Sequence, residues 1–164
     1  MIRYASHLAL FAFLTAGCGG DGASADATGD YAVAITSGAN GCNFVNWEEG
    51  ATNTGIPLGI VEAEAGVTAT VGGISALFLD LLVGSNVFVG GISGSELSMD
   101  IEGTVERNQD GCTHFVNSSL EANIDGDILV GSVIYTVADN DSAECAALIG
   151  CESVQNFNGT RPPQ

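Results

Sequence analysis

A chain of 164 residues, 46% apolar and only 14% charged, has the length of one domain and ample material for a core, which argues against an extended disordered protein. Twenty acidic side chains stand against three basic ones, none of them lysine, for a net charge of −17. Such a surface repels polyanions and argues against nucleic acid or anionic lipid head groups as partners, while naming no ligand of its own.

The chain opens on a targeting pattern. Arg3 supplies a positive start, and residues 8–16 form an apolar run too short to span a bilayer, so residues 1–17 are expected to be a signal peptide outside the fold. Leu14, Thr15, Ala16, Gly17 and Cys18 resemble the lipobox of bacterial lipoprotein precursors. The resemblance implies that Cys18 is acylated and becomes the first mature residue. With Gly19 rather than aspartate after it, the resemblance further implies a lipoprotein passed on to the outer membrane of a double-membraned bacterium. Residues 18–29, rich in Gly, Ala, Ser and Asp without apolar periodicity, are expected to be a flexible tether, and residues 30–164 the folded domain.

Tyr31, Val33 and Ile35 alternate with smaller or polar neighbours in a first strand, followed by a turn-rich stretch carrying Cys42 and by Trp47 near the domain edge. Residues 58–64 read as a second strand, with Val61 and Ala63 on one side and Glu62 and Glu64 on the other. The region 67–105 reads as a β-meander punctuated by glycine pairs, because Val71, Gly72, Gly73, Ile74, Ser75 returns as Val89, Gly90, Gly91, Ile92, Ser93 after a spacing of about two short strands. Within it, residues 77–83 are more continuously apolar and expected to be buried, and residues 86–92 form another strand. Leu97, Met99, Ile101, Gly103 and Val105 alternate with polar, mostly acidic residues as far as Glu106, the pattern of a half-buried strand.

Asn108, Gln109, Asp110 and Gly111 carry the chemistry of a hairpin turn. Beyond it the even positions His114, Val116, Ser118, Leu120, Ala122 and Ile124 face one way, against polar odd positions broken only by Phe115. A tight turn at Asp125, Gly126 and Asp127 leads into a long strand over 128–138, apolar on both sides. Residues 139–149 hold one helical turn capped by Ser142, and residues 153–157 form a last strand before Pro162 and Pro163.

Eight or nine short strands joined by tight turns, with almost no helix, predict an all-β protein. The expected architecture is an antiparallel up-and-down meander barrel of about eight strands, with a β-sandwich as the alternative. Gly29, Asp30 and Tyr31 at the start of the first strand resemble the GxW opening, here GxY, of the calycin barrels, which include lipocalins and avidins. In those families a basic residue near the C-terminus packs across the opening aromatic, so the resemblance implies that Arg161 packs on Tyr31 and closes the barrel.

With Cys18 acylated, four cysteines remain in an exported domain, which reads as two disulfides. Antiparallel geometry sets the start of the strand at Cys112 beside the end of its partner near Ala138, bringing Cys145 within reach. If the first and last strands close the barrel, Cys42 meets Cys151. The expected pairs are Cys112 with Cys145 and Cys42 with Cys151, in preference to a zinc site built from Cys112, His114, Cys145 and Cys151.

No constellation carries catalysis. Glu48 and Glu49 are adjacent rather than set across a cleft, Gly73, Ile74, Ser75 lacks the closing glycine of a nucleophile elbow, and Asp139, Asn140, Asp141 with Glu144 reads as a solvated turn rather than a calcium loop. The expectation is a non-enzymatic module without cofactor or metal, attached to the membrane by its lipid. It binds a small apolar ligand, oriented by His114 with Tyr135 facing it from the neighbouring strand. The alternative is a structural or interaction protein of the cell envelope whose barrel is filled by its own side chains, Leu79, Met99, Ile101, Leu120 and Tyr135 among them.

Overall fold

A sheet that is apolar on one face can remove that face from water by curling on itself, and this chain takes that route. The computed structural model describes residues 24–138 and 142–162. Its elements are β1 (Gly29–Asn40), β2 (Thr52–Ala63), β3 (Gly66–Val71), α1 (Gly73–Leu82), β4 (Val87–Ser93), β5 (Glu96–Ile101), β6 (Arg107–Gln109), β7 (Cys112–His114), β8 (Val116–Asp125), β9 (Ile128–Val137) and β10 (Glu152–Thr160), with a 3-10 turn at Ala143–Cys145. Eight strands form one closed antiparallel barrel, β1-β2-β3-β4-β5-β8-β9-β10, in which β10 pairs back onto β1. Each barrel strand lies beside the next one in the chain, so this is the expected meander and not a sandwich. Closure leaves the barrel without an unpaired edge.

The inward face follows strict alternation where side chains of clear polarity define it. On β8, Val116, Ser118, Leu120, Ala122 and Ile124 are buried, while Glu121, Asn123 and Asp125 are exposed. Leu79, Met99, Ile101, Leu120 and Tyr135 are all buried as expected. Deep in the bore the packing leaves a void of only about 20 Å3, enough for one water at most. Two glycines let neighbouring strands close in: a Cβ on Gly90 would stand 2.1 Å from the Ser98 carbonyl oxygen, and one on Gly131 2.2 Å from that of Glu121. Both disulfides form as expected, Cys42 with Cys151 and Cys112 with Cys145.

Several local expectations are corrected. Residues 73–82 form a helix rather than part of the meander, and Ile74, Leu77, Phe78 and Leu81 on it are exposed, with only Leu79 and Leu82 buried. The two glycine-pair phrases therefore have different structures. In the first, Gly72 caps the helix and Gly73 takes φ +65°, and the run from Ser75 to Leu82, free of β-branched residues, winds up. The second remains in β4 because Gly94, at φ +61°, turns the chain straight into β5. Gly84, at φ +99°, ends the helix, where any side chain would meet Thr104.

On β2 the buried set is Ile56, Leu58 and Ile60, which leaves Val61 exposed and turns Glu62 toward the barrel's end, where it accepts a hydrogen bond from the Ala27 amide. The larger side chains at the even positions decide the facing that Val61 and Ala63 alone suggested. The half-buried strand ends at Ile101 rather than Glu106. The hairpin at Asn108 is β6–β7, a two-stranded excursion outside the barrel wall, and the barrel resumes at Val116. Just before β1, Ala27 is fully buried and the Ala25 amide donates to the Gly94 carbonyl, so these residues pack onto the barrel. Cys18 and residues 139–141 lie outside the described residues.

One inward group is out of place among these apolar neighbours. The Ser118 hydroxyl is buried without a hydrogen-bond partner among the described residues. A desolvated, unpaired hydroxyl is destabilising, so Ser118→Ala is expected to raise the unfolding free energy by about 1 kcal/mol. Denaturant unfolding measures this, and a loss of stability would show that the hydroxyl has a partner in solution.

Candidate functional site

The meander gives the barrel two unlike ends. At one end β1 begins and β10 finishes, and Arg161 locks them together. Its guanidinium pairs with Asp127 at 3.1 Å, donates to the carbonyls of Asp26, Thr28 and Gly126, and lies 5.5 Å from the centre of the Tyr31 ring. The Tyr31 hydroxyl donates to the Ala27 carbonyl at 3.1 Å, so the segment before β1 is sewn across this mouth. The expected contact between Tyr31 and Arg161 is present, and it makes this end the sealed one.

At the other end lie α1, the β1–β2 loop and the β6–β7 hairpin. The β1–β2 loop hangs from the Cys42–Cys151 bridge. Its Phe44 amide donates to the Asn40 side chain at 2.8 Å, and the Trp47 indole donates to the Gly38 carbonyl at 2.9 Å. The hairpin is held by Cys112–Cys145, by Gln109 donating to the Cys42 carbonyl at 3.2 Å, and by Arg107 donating to the Leu81 carbonyl at 3.1 Å. Helix α1 lies across the mouth with Leu79 and Leu82 turned inward.

This mouth is not filled. Two clefts, about 460 Å3 and about 370 Å3, open beside α1 and share Phe78 and Asn46 as their common wall. The first runs between α1 and the hairpin and contains Arg107 and His114. The second runs beneath α1 into the bore as far as Phe88 and Val133, with Trp47 and Glu48 at its side. Tyr135 forms part of its floor, buried to 2% exposure, and donates to the Gln155 side chain at 2.9 Å. Burial pushes its phenol well above the ordinary range. The Phe44, Trp47 and Phe78 rings surround it at 6.3, 5.9 and 6.1 Å, each nearly perpendicular to its plane.

His114 and Tyr135 both face this end, yet they line different clefts rather than one site, which corrects the expectation that they face each other. The β-register sets Tyr135 opposite Ser118 on β8, beyond His114 along the chain. The His114 Nδ1 lies 3.3 Å from the Cys112 carbonyl, so local backbone already engages that nitrogen. Sequence reasoning missed Phe44, Trp47 and Phe78 as site residues. The available signal was the spacing of Ile74, Leu77, Phe78 and Leu81, which on a helix gives an apolar face pointing away from the core. Compared with protein-family models, curated proteins and solved structures, the chain matches none of them.

Proposed function

We propose that this protein is a non-catalytic, lipid-anchored binding module of the cell envelope that takes a small, largely apolar ligand at the α1 mouth of its barrel. One observation carries the reading: the α1 mouth keeps a cleft of about 370 Å3 that is mostly apolar, has a few polar groups at its walls and reaches into the bore as far as Phe88 and Val133. Two disulfides suit an oxidising, extracytoplasmic compartment. An acyl anchor at Cys18 would join the domain near Ala25, whose amide bonds to the Gly94 carbonyl in the β4–β5 turn on the side of the sealed mouth, leaving the α1 mouth directed away from the bilayer.

The second reading, an interaction protein of the envelope, draws on the exposed stripe Ile74, Leu77 and Leu81, whose apolar surface suits a protein partner. Native mass spectrometry of the protein from its own host separates the two. The binding reading expects a retained small molecule in addition to the acyl mass on Cys18. A polypeptide carrying only acyl chains favours the interaction reading, and one carrying neither removes the anchor as well.

A further inference from the structure

The charge and aromatic content of the cleft beneath α1 point further than an apolar ligand. Trp47 and Phe78 line the cleft and stand nearly perpendicular to the buried Tyr135 ring beneath them, at 85° and 88°, so two aromatic rings held by a third bound it. Glu48 is the one charged side chain among the residues lining it, and Asn46, Asn53 and Gln155 are neutral. Of the two arginines among the described residues, Arg161 is at the opposite end. Arg107 lines the neighbouring cleft, bound to the Leu81 carbonyl. The whole cleft sits in the field of a chain with net charge −17.

Aromatic faces attract a cation through their quadrupole, and a lone carboxylate in a strongly negative field adds to that attraction while disfavouring anions. A metal ion or primary ammonium would have to shed a tightly held water shell against rings that offer it no ligand atoms. A fully alkylated nitrogen spreads its charge over methyl groups, is weakly hydrated, and presents to the rings the apolar surface they already favour. We propose that the cleft beneath α1 binds a quaternary ammonium group, its methyl groups against Trp47 and Phe78, which the buried Tyr135 supports from beneath, and its charge answered by Glu48. The proposal rests on the binding reading above and names the class of ligand.

Trp47 is the only tryptophan in the chain, so its emission reports directly on the site. The probes are choline and its uncharged carbon isostere 3,3-dimethylbutan-1-ol, which match in shape and differ in charge. Choline is expected to change the emission saturably at low ionic strength and to bind about tenfold more tightly than the alcohol. Added salt should weaken choline alone. Phe78 is 41% exposed, so Phe78→Leu should keep the fold, checked by circular dichroism, and cost choline several-fold more affinity than it costs the alcohol. Glu48→Gln should act in the same direction. Equal affinity for the two probes would overturn the cation assignment and leave an apolar binding site standing. A saturable response to neither probe would overturn it too, and the retained ligand in the native mass spectrum then judges the binding reading separately.

Discussion

Replacing Cys42 and Cys151 together by alanine is expected to lower the unfolding free energy by about 4 to 5 kcal/mol, the largest loss available from any one covalent feature of the domain. The bridge spans 109 residues, and the chain entropy released to the unfolded state grows with the length of the loop that is cut. The Cys112–Cys145 bridge spans 33 residues, nested inside the first, so its double alanine variant should lose about 1 kcal/mol less. Native geometry reinforces the order. The Cys42 amide donates to the buried Ser153 hydroxyl at 3.1 Å, and that hydroxyl donates to Asn40, so the first bridge also fixes the last rungs of β1 on β10. Against a usual total of about 5 to 15 kcal/mol, such a loss puts the domain near its limit. Urea or guanidinium unfolding of both variants reads the result. A reversed order, or a loss below about 1 kcal/mol for the longer loop, would mean that the unfolded chain is already held compact near these cysteines.

What the sequence made legible follows from how strongly each segment constrains itself. β8 was readable because five inward positions alternate with acids and amides, and a slip by one residue would bury Glu121 and Asn123. The disulfide pairing followed from the meander, since hairpin neighbours and barrel closure leave each cysteine one partner in reach. Helix α1 was not readable as such. A short apolar run is compatible with strand or helix, and what settled the matter was a tertiary fact, that Leu79 and Leu82 could plug a barrel mouth while Ile74 and Leu77 stayed outside. The repeated glycine phrase misled for a related reason, since five residues do not set a conformation when the residues after them differ. The site was the least legible part. Phe44 and Trp47 come from a loop, Phe78 from a helix and Tyr135 from a strand, and only closure of the barrel brings them together.

The two mouths divide the work of the fold. At the sealed end a single arginine satisfies three carbonyls and an aspartate. At the α1 end the disulfides tie the supporting loops while the helix itself crosses the opening with most of its large side chains in water. Burial is the main source of local stability, so α1 is the element expected to open first and the barrel wall the last. A lid with few buried anchors above a rigid wall is what the proposed binding site would need to admit a ligand without unfolding.

Tyr135 joins the wall to the site, and its replacement is the second large effect. Tyr135→Ala removes a ring at 2% exposure from beneath three others and should lower the unfolding free energy by about 3 to 5 kcal/mol. Tyr135→Phe keeps the ring and removes only the hydrogen bond to Gln155, for a loss of about 1 kcal/mol. The two variants also separate on pH. Burial raises the phenol of Tyr135 above its ordinary value of 10.0, so the folded state holds the proton more tightly than the unfolded state does. Its contribution is fully present below that value and is lost as the pH rises above it, because only the unfolded chain then ionises readily, with a slope approaching about 1.4 kcal/mol per pH unit. Tyr31 is raised in the same direction, chiefly by burial, so the wild-type curve alone does not isolate one residue. The difference between wild type and Tyr135→Phe does. Unfolding measured from neutral pH to about pH 11 should give a constant gap up to about pH 10 that narrows above it. A gap that stays constant throughout would show that the Tyr135 hydroxyl meets water in solution, and the floor of the cleft would then be open rather than sealed by the three rings around it.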